Sequence, residues 1–137
     1  MLITPFQFLR LTGGVTTSTA METLESFPVE VLHVGKVLLD LRATIQMRYV
    51  KPSAQFLGVA LRYVWDDLVL VDPGFFQFDP AFGPPNIDTY AMHVTMRSVI
   101  EAAAPGPHVL LVQWQVLDVE QEATLFPLNG NLTVEGK

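Results

Sequence analysis

The sequence predicts an all-β protein: an antiparallel β-sandwich of the jelly-roll type, about eight strands, with an N-terminal arm. Three observations predict it. Apolar residues recur at every second position in several separate segments. Clusters of Pro, Gly, Asn and Asp bound those segments. No stretch carries the 3.6-residue apolar period of a convincing amphipathic helix.

The segment 37–49 is the clearest. Val37, Leu39, Leu41, Ala43, Ile45, Met47 and Tyr49 alternate with Leu38, Asp40, Arg42, Thr44, Gln46 and Arg48. Strand side chains point to opposite faces in turn, so one face is core and the other wet. Residues 57–63 follow the same rule, with Leu57, Val59, Leu61 and Tyr63 on one side. So do residues 90–100, where Tyr90, Met92, Val94, Met96, Ser98 and Ile100 oppose Ala91, His93, Thr95, Arg97 and Val99. Segment 108–116 is apolar on both sides over its first half, which predicts a central strand or one at an interface. Weaker strands are predicted at 29–34, 68–71, 75–78, 122–126 and 132–135, and a helical turn or two at 19–26.

The breaks agree with the strands. Asp66-Asp67 predicts a tight turn, Asp72-Pro73-Gly74 another, and Ala104-Pro105-Gly106-Pro107 a reset between two long strands. Asn129-Gly130 predicts a hairpin. Residues 79–88, with Pro80, Pro84 and Pro85, read as a loop excursion on the same domain. Residues 1–15 form an extended arm and residues 16–137 a single sandwich. The arm carries Leu2, Ile3, Phe6, Phe8, Leu9 and Leu11. It is too apolar to lie in water, so it is expected to lie across a neighbouring subunit. Deleting residues 1–12 is then expected to weaken docking and leave the fold intact.

Composition narrows the function. The chain has 137 residues, 50% hydrophobic and 16% charged, with a net charge of −6. Its basic residues are scattered singly, which argues against nucleic acid and against an anionic membrane surface. Cysteine is absent, so no disulfide framework or thiolate metal site forms. No apolar run approaches the ~20 residues of a spanning helix. The start lacks a basic n-region and has an early Pro5, so no signal peptide is expected.

Chemistry-bearing motifs are sparse. His33, His93 and His108 could be imagined as a cupin-like metal centre. They lack a His-x-His pair and a glutamate at short offset, and read instead as surface or rim histidines. Asp118, Glu120 and Glu122 alternate, and read as a solvated strand edge that discourages aggregation. No catalytic residue, metal ligand or cofactor is assigned, and the chain is expected not to be an enzyme. The aromatics Trp65, Phe75, Phe76, Phe78, Phe82 and Tyr90 fall close together, on or beside proline-rich loops. They fit a subunit interface or a sugar-stacking platform, since both need flat apolar area with a polar rim.

One resemblance is carried by particular segments. Gly106-Pro107-His108-Val109-Leu110-Leu111-Val112-Gln113-Trp114, with the later Asn131-Leu132-Thr133-Val134, resembles the closing strands of compact jelly-roll modules in phage virion proteins. Upstream, Thr16-Thr17-Ser18-Thr19, the Gly35–Leu41 run and the Gly58–Arg62 run are ordered in a similar way. The resemblance implies the trimeric sandwich fold shared with tumour-necrosis-factor and C1q-like modules. It also implies a non-enzymatic capsid-decoration or tail-associated protein in the virion, acting as a homotrimer against other virion or capsid proteins. Leu2, Ile3, Phe6, Phe8 and the aromatic group would form the interfaces. The second reading is a carbohydrate- or receptor-binding sandwich.

Overall fold

The computed structural model describes residues 2–3, 6–49, 57–70, 74–78, 89–118 and 121–136. They form a β-sandwich of two six-stranded sheets. In the first, β4 (Glu22–Val31), β10 (Gly106–Val116) and β6 (Leu57–Trp65) lie side by side. β1 (Leu2–Ile3) flanks β4, while β7 (Leu68–Val69) and β8 (Gly74–Phe78) share the far side of β6. In the second, β5 (Gly35–Tyr49) lies between β9 (Thr89–Ala103) and a column made of β11 (Gln121–Leu125) and β12 (Gly130–Gly136). β2 (Phe6–Arg10) and β3 (Gly14–Thr16) line the outside of that column. All pairings are antiparallel except the short β1–β4 contact.

The alternation read from the sequence is the core. Val37, Leu39, Leu41, Ala43, Ile45 and Met47 of β5 are buried, as are Met92, Val94 and Met96 of β9. They face Val59, Leu61, Tyr63 and Trp65 of β6 and Leu110, Val112, Trp114 and Val116 of β10. β10 is central, as its two-sided apolarity predicts. Two polar links cross between the sheets. The Tyr63 hydroxyl donates to the Met96 carbonyl at 2.7 Å, and the buried Gln121 side chain accepts from the Gly58 amide at 3.2 Å. Without such partners these groups would carry a desolvation penalty.

Several expectations need correction. The N-terminal segment is not a free arm. Leu2–Ile3 adds to β4, Phe6–Arg10 pairs with β12, and Gly14–Thr16 pairs with β11. Leu11 sits in the core at 2% exposure, and its amide donates to Gly130 at 2.9 Å. Leu9 and Leu11 pack on the core of the same chain. The segment at 19–26 is no helix: residues 19–21 lead into β4 and 22–26 are its first half, where a bulge opposite Val112/Gln113 blurs the alternation. Asn129-Gly130 is not a hairpin. β11 and β12 run end to end along β5, and residues 126–129 loop out between them, with the Asn129 carbonyl accepting from the Thr44 amide at 2.9 Å. Of the acidic series, Glu120 lies outside the described residues and Glu122 pairs with Arg48 at 3.3 Å; β3 covers the outer side of β11 at residues 123–125, so that stretch is not an edge.

Two glycines mark where the chain bends sharply. Gly13 has φ +98°, and a Cβ there would lie 2.5 Å from the Leu125 carbonyl oxygen. Gly106 has φ +117° with open space around it. Gly106→Ala should therefore cost strain alone, about 1–3 kcal/mol. Gly13→Ala should cost clearly more, because a rigid carbonyl blocks the new methyl. Urea midpoints of the two variants check the order; equal losses would contradict it.

Candidate binding face

The Asp66-Asp67 turn forms as predicted, with φ of +47° and +67°, the two-residue turn that joins twisted strands. It also does something the sequence did not disclose. His108 Nδ1 meets Asp66 Oδ2, and His108 Nε2 lies 2.6 Å from the Ala104 carbonyl. Both partners accept, so with Asp66 ionised the ring carries both protons. The ring stacks on Trp65 at 4.6 Å between centroids, and Asp66 Oδ1 accepts from the Val109 amide at 2.8 Å. Burial opposes charge on His108, but the bonds to Asp66 and Ala104 outweigh it and hold its pKa above the ordinary 6.5. Burial also pushes the Asp66 carboxyl up, but the bonds from His108 and Val109 outweigh it and hold it below 3.8.

This clasp fastens the β6–β7 turn to the start of β10. Neither ring nitrogen is free to take a proton or a metal. The His108 part of its stability is whole below pH 6.5 and is lost as pH rises through the raised value of the folded chain. The Asp66 part is whole above pH 3.8 and is lost as pH falls through the lowered value. Asp66 is 43% exposed in its side chain, so the contribution is discounted to about 1 kcal/mol. His108→Phe keeps the stack and removes the charge. Its deficit against the parent chain should be largest at pH 4–6.5 and shrink towards pH 9; a deficit constant across that range would contradict the clasp.

The sequence-predicted aromatic group divides. Trp65 is 6% exposed and packs inside the sandwich, so it offers no flat face to a ligand or a neighbour; its position at the inward end of β6 is the reason. Phe75, Phe76 and Phe78 are in β8 against β6, and Tyr90 is in β9 opposite Met47. Their side chains lie outside the described residues, as do those of Leu2, Ile3 and Phe6 and the whole of Phe82. Phe8 is described: it is 52% exposed on the outer side of the second sheet.

That outer side presents polar side chains across four columns of strand. Register places Arg10, Asn131, Arg42 and Thr95 in one row from β2 to β9. The next row, about 7 Å along the strands, is Phe8, Thr133, Asp40 and Arg97. Glu135, Leu38 and Val99 follow on one side, and Thr44 with His93 on the other. Two adjoining grooves of about 390 Å³ each lie on this face. One is lined by Asp40, Arg97, Ser98, Val99, Thr133 and Glu135. The other is lined by Arg42, Thr44, His93, Thr95, Asn129 and Asn131, with Leu128 of the looped-out 126–129 segment as its lip. Asp40 Oδ2 holds Arg42 at 3.6 Å and Arg97 at 3.4 Å, forming a ridge between the grooves. His93 Nδ1 bonds the Thr44 hydroxyl at 3.0 Å.

His33, in the β4–β5 turn, is at the same end of the sandwich as His108, and His93 is on the outer face of the other sheet. Among the described residues no group of three His, Asp or Glu is placed to hold a metal.

No family model matches the chain, and no curated protein matches it by sequence. Solved structures match it in fold. Dimeric latent PorU from Porphyromonas gingivalis superposes with a TM-score of 0.58 at 6% identity, over 94% of this chain and 12% of its own length. The CBM36-1 domain of a multidomain xylanase from the hindgut metagenome of Trinervitermes trinervoides gives 0.48 at 7% identity, over 96% and 98%. The C-terminal domain of EclA, a sugar-binding protein, gives 0.43 at 13% identity, over 83% and 74%. The likeness to PorU is one of fold: the chain is a β-sandwich, jelly-roll-like domain. No described helix is long and apolar enough to cross a membrane.

Proposed function

We propose that this chain is a non-catalytic binding module that holds an extended carbohydrate along the outer face of the β9–β5–β12–β2 sheet. The paired grooves carry the reading. Their walls include amide, hydroxyl, imidazole and guanidinium groups from Asn129, Asn131, Thr44, Thr95, Thr133, His93, Arg42 and Arg97. A sugar hydroxyl donates and accepts at once, and Asn and Thr side chains do the same. The groove of Arg42, Thr44, His93, Thr95, Asn129 and Asn131 is the richer in such groups, while Leu38, Leu39 and Val99 give the other an apolar floor; polar groups beside apolar patches suit a sugar, whose ring has both kinds of surface. Phe8, in the row of Thr133 and Asp40, adds an exposed aromatic face at the margin for a sugar ring. A glycan array probed with the full chain tests this. Binding to one class of oligosaccharide, lost in Asn131→Ala with an unchanged thermal midpoint, is the expected result. Silence across the array contradicts it.

A second reading is favoured by a different observation. Leu32, Val34, Leu68 and Val109 are 44% or more exposed, and the topology brings them to one end of the sandwich, by the β4–β5, β6–β7 and β9–β10 turns. Exposed apolar residues gathered in this way suit a protein contact. In this reading the chain is a virion module, a capsid-decoration or tail-associated homotrimer, as the phage resemblance implies. Mass measurement at micromolar concentration should then give a trimer; a monomer contradicts it.

A further inference from the structure

We infer that the carbohydrate is an acidic one, its carboxylate or sulfate groups held by Arg10, Arg42 and Arg97; this rests on the carbohydrate reading of the face. The chain carries a net charge of −6, yet its cations are not spread evenly over the fold. Arg10, Lys36, Arg42, Arg48 and Arg97 all project from this outer face, and Arg62 is the one described arginine or lysine on the other sheet. Lys36 and Arg48 are each neutralised by a glutamate, Glu101 and Glu122. The grooves are different. There Arg42 and Arg97 share a single oxygen of a single carboxylate, Asp40, and Arg10 has no ion-pair partner among the described residues. With Glu135 also in the groove wall, the centre of the face holds three arginines against two carboxylates, Asp40 and Glu135.

The geometry keeps those charges usable. The Arg42 and Arg97 side chains are 65% and 71% exposed while Asp40 is 24% exposed, so the carboxylate lies low and the guanidinium forks stand above it. Each fork offers donors that match a carboxylate or sulfate in pairs. Arg10 and Arg42 stand two strand columns apart in one row, about 10 Å, with Asn131 between them. Cations spaced along a hydroxyl-binding trough match a polymer that alternates hydroxyls with acidic groups. A nucleic acid fits less well: Phe8 is the one described exposed aromatic on the strands of the face to stack a base.

The experiment is calorimetric titration of the full chain with three hexasaccharides at low and at 0.3 M salt: a galacturonate, a sulfated glycosaminoglycan fragment and a neutral xylo-oligosaccharide. At low salt one of the acidic ligands should bind about 10-fold or more tightly than the neutral one, and salt should shrink that margin. Tighter binding of the galacturonate or of the sulfated ligand tells which acid is read. Arg10→Gln and Arg97→Gln should each weaken acidic binding several-fold more than neutral binding, at an unchanged thermal midpoint. Neutral binding equal to or tighter than acidic binding overturns this inference and leaves the carbohydrate reading standing. No binding of any of the three, or binding of a single-stranded oligonucleotide in their place, overturns both.

Discussion

Leu11→Ala is expected to destabilise the chain by about 2–5 kcal/mol, the cost of emptying a buried leucine site. Leu11 is 2% exposed, joins the core between β2 and β3, and lies against Gly130 at the head of β12. Its amide is hydrogen-bonded there as well, so the segment cannot lift away locally without breaking backbone pairing. Deletion of residues 1–12 removes Leu11 and the whole of β2, and leaves β12 without its outer partner. That deletion should abolish the cooperative urea transition at room temperature, since small domains have only about 5–15 kcal/mol to lose. A truncated chain that unfolds at the parent midpoint would show that the segment is an arm after all.

The second large effect is on binding. Thr95 is exposed on β9, in the row of Arg42, Asn131 and Arg10, and lines the groove that Leu128 closes. Thr95→Trp fills that groove from an exposed strand position, where the fold has room for it. Oligosaccharide affinity should fall at least about 10-fold, or about 1.4 kcal/mol, and the thermal midpoint should change little. Unchanged affinity would move the ligand off this groove. The same substitution at Val109, on the outer side of the other sheet, should leave oligosaccharide binding untouched and serves as the control.

The two-residue period was enough to read most of the fold. Val37 through Met47 and Met92 through Met96 assign their own faces, because a strand has no other way to bury them together. The local reading failed where pairing, not pattern, decided the outcome. Asn129-Gly130 has hairpin chemistry, but β5 is long enough to hold β11 and β12 in line, and the turn is pushed out as a lip. Leu2, Phe6 and Leu11 look surplus to one sandwich until the segment is seen to supply outer partners to β4, β12 and β11. The clasp of His108 and Asp66 joins residues 42 apart in sequence, and no spacing rule announces it.

The proposed binding face was half legible. Asp40, Arg42 and Thr44, with His93, Thr95 and Arg97, already stand on the wet sides of their strands in the sequence. Nothing in the sequence says that Arg42 falls opposite Thr95 on one side and Asn131 on the other; register does. Scattered single cations thus become a cluster only when four strands are laid side by side. Attention to aromatics led instead to Trp65, which the core had claimed.

Amide chemical-shift mapping of the full chain during titration with an acidic hexasaccharide tests the central claim most directly. The carbohydrate reading predicts saturable shifts confined to the rows of Arg10, Asn131, Arg42 and Thr95 and of Thr133, Asp40 and Arg97, with Thr44 and His93. Shifts confined to Leu32, Val34, Leu68 and Val109 at the end of the sandwich, or no shifts at millimolar ligand, would contradict it.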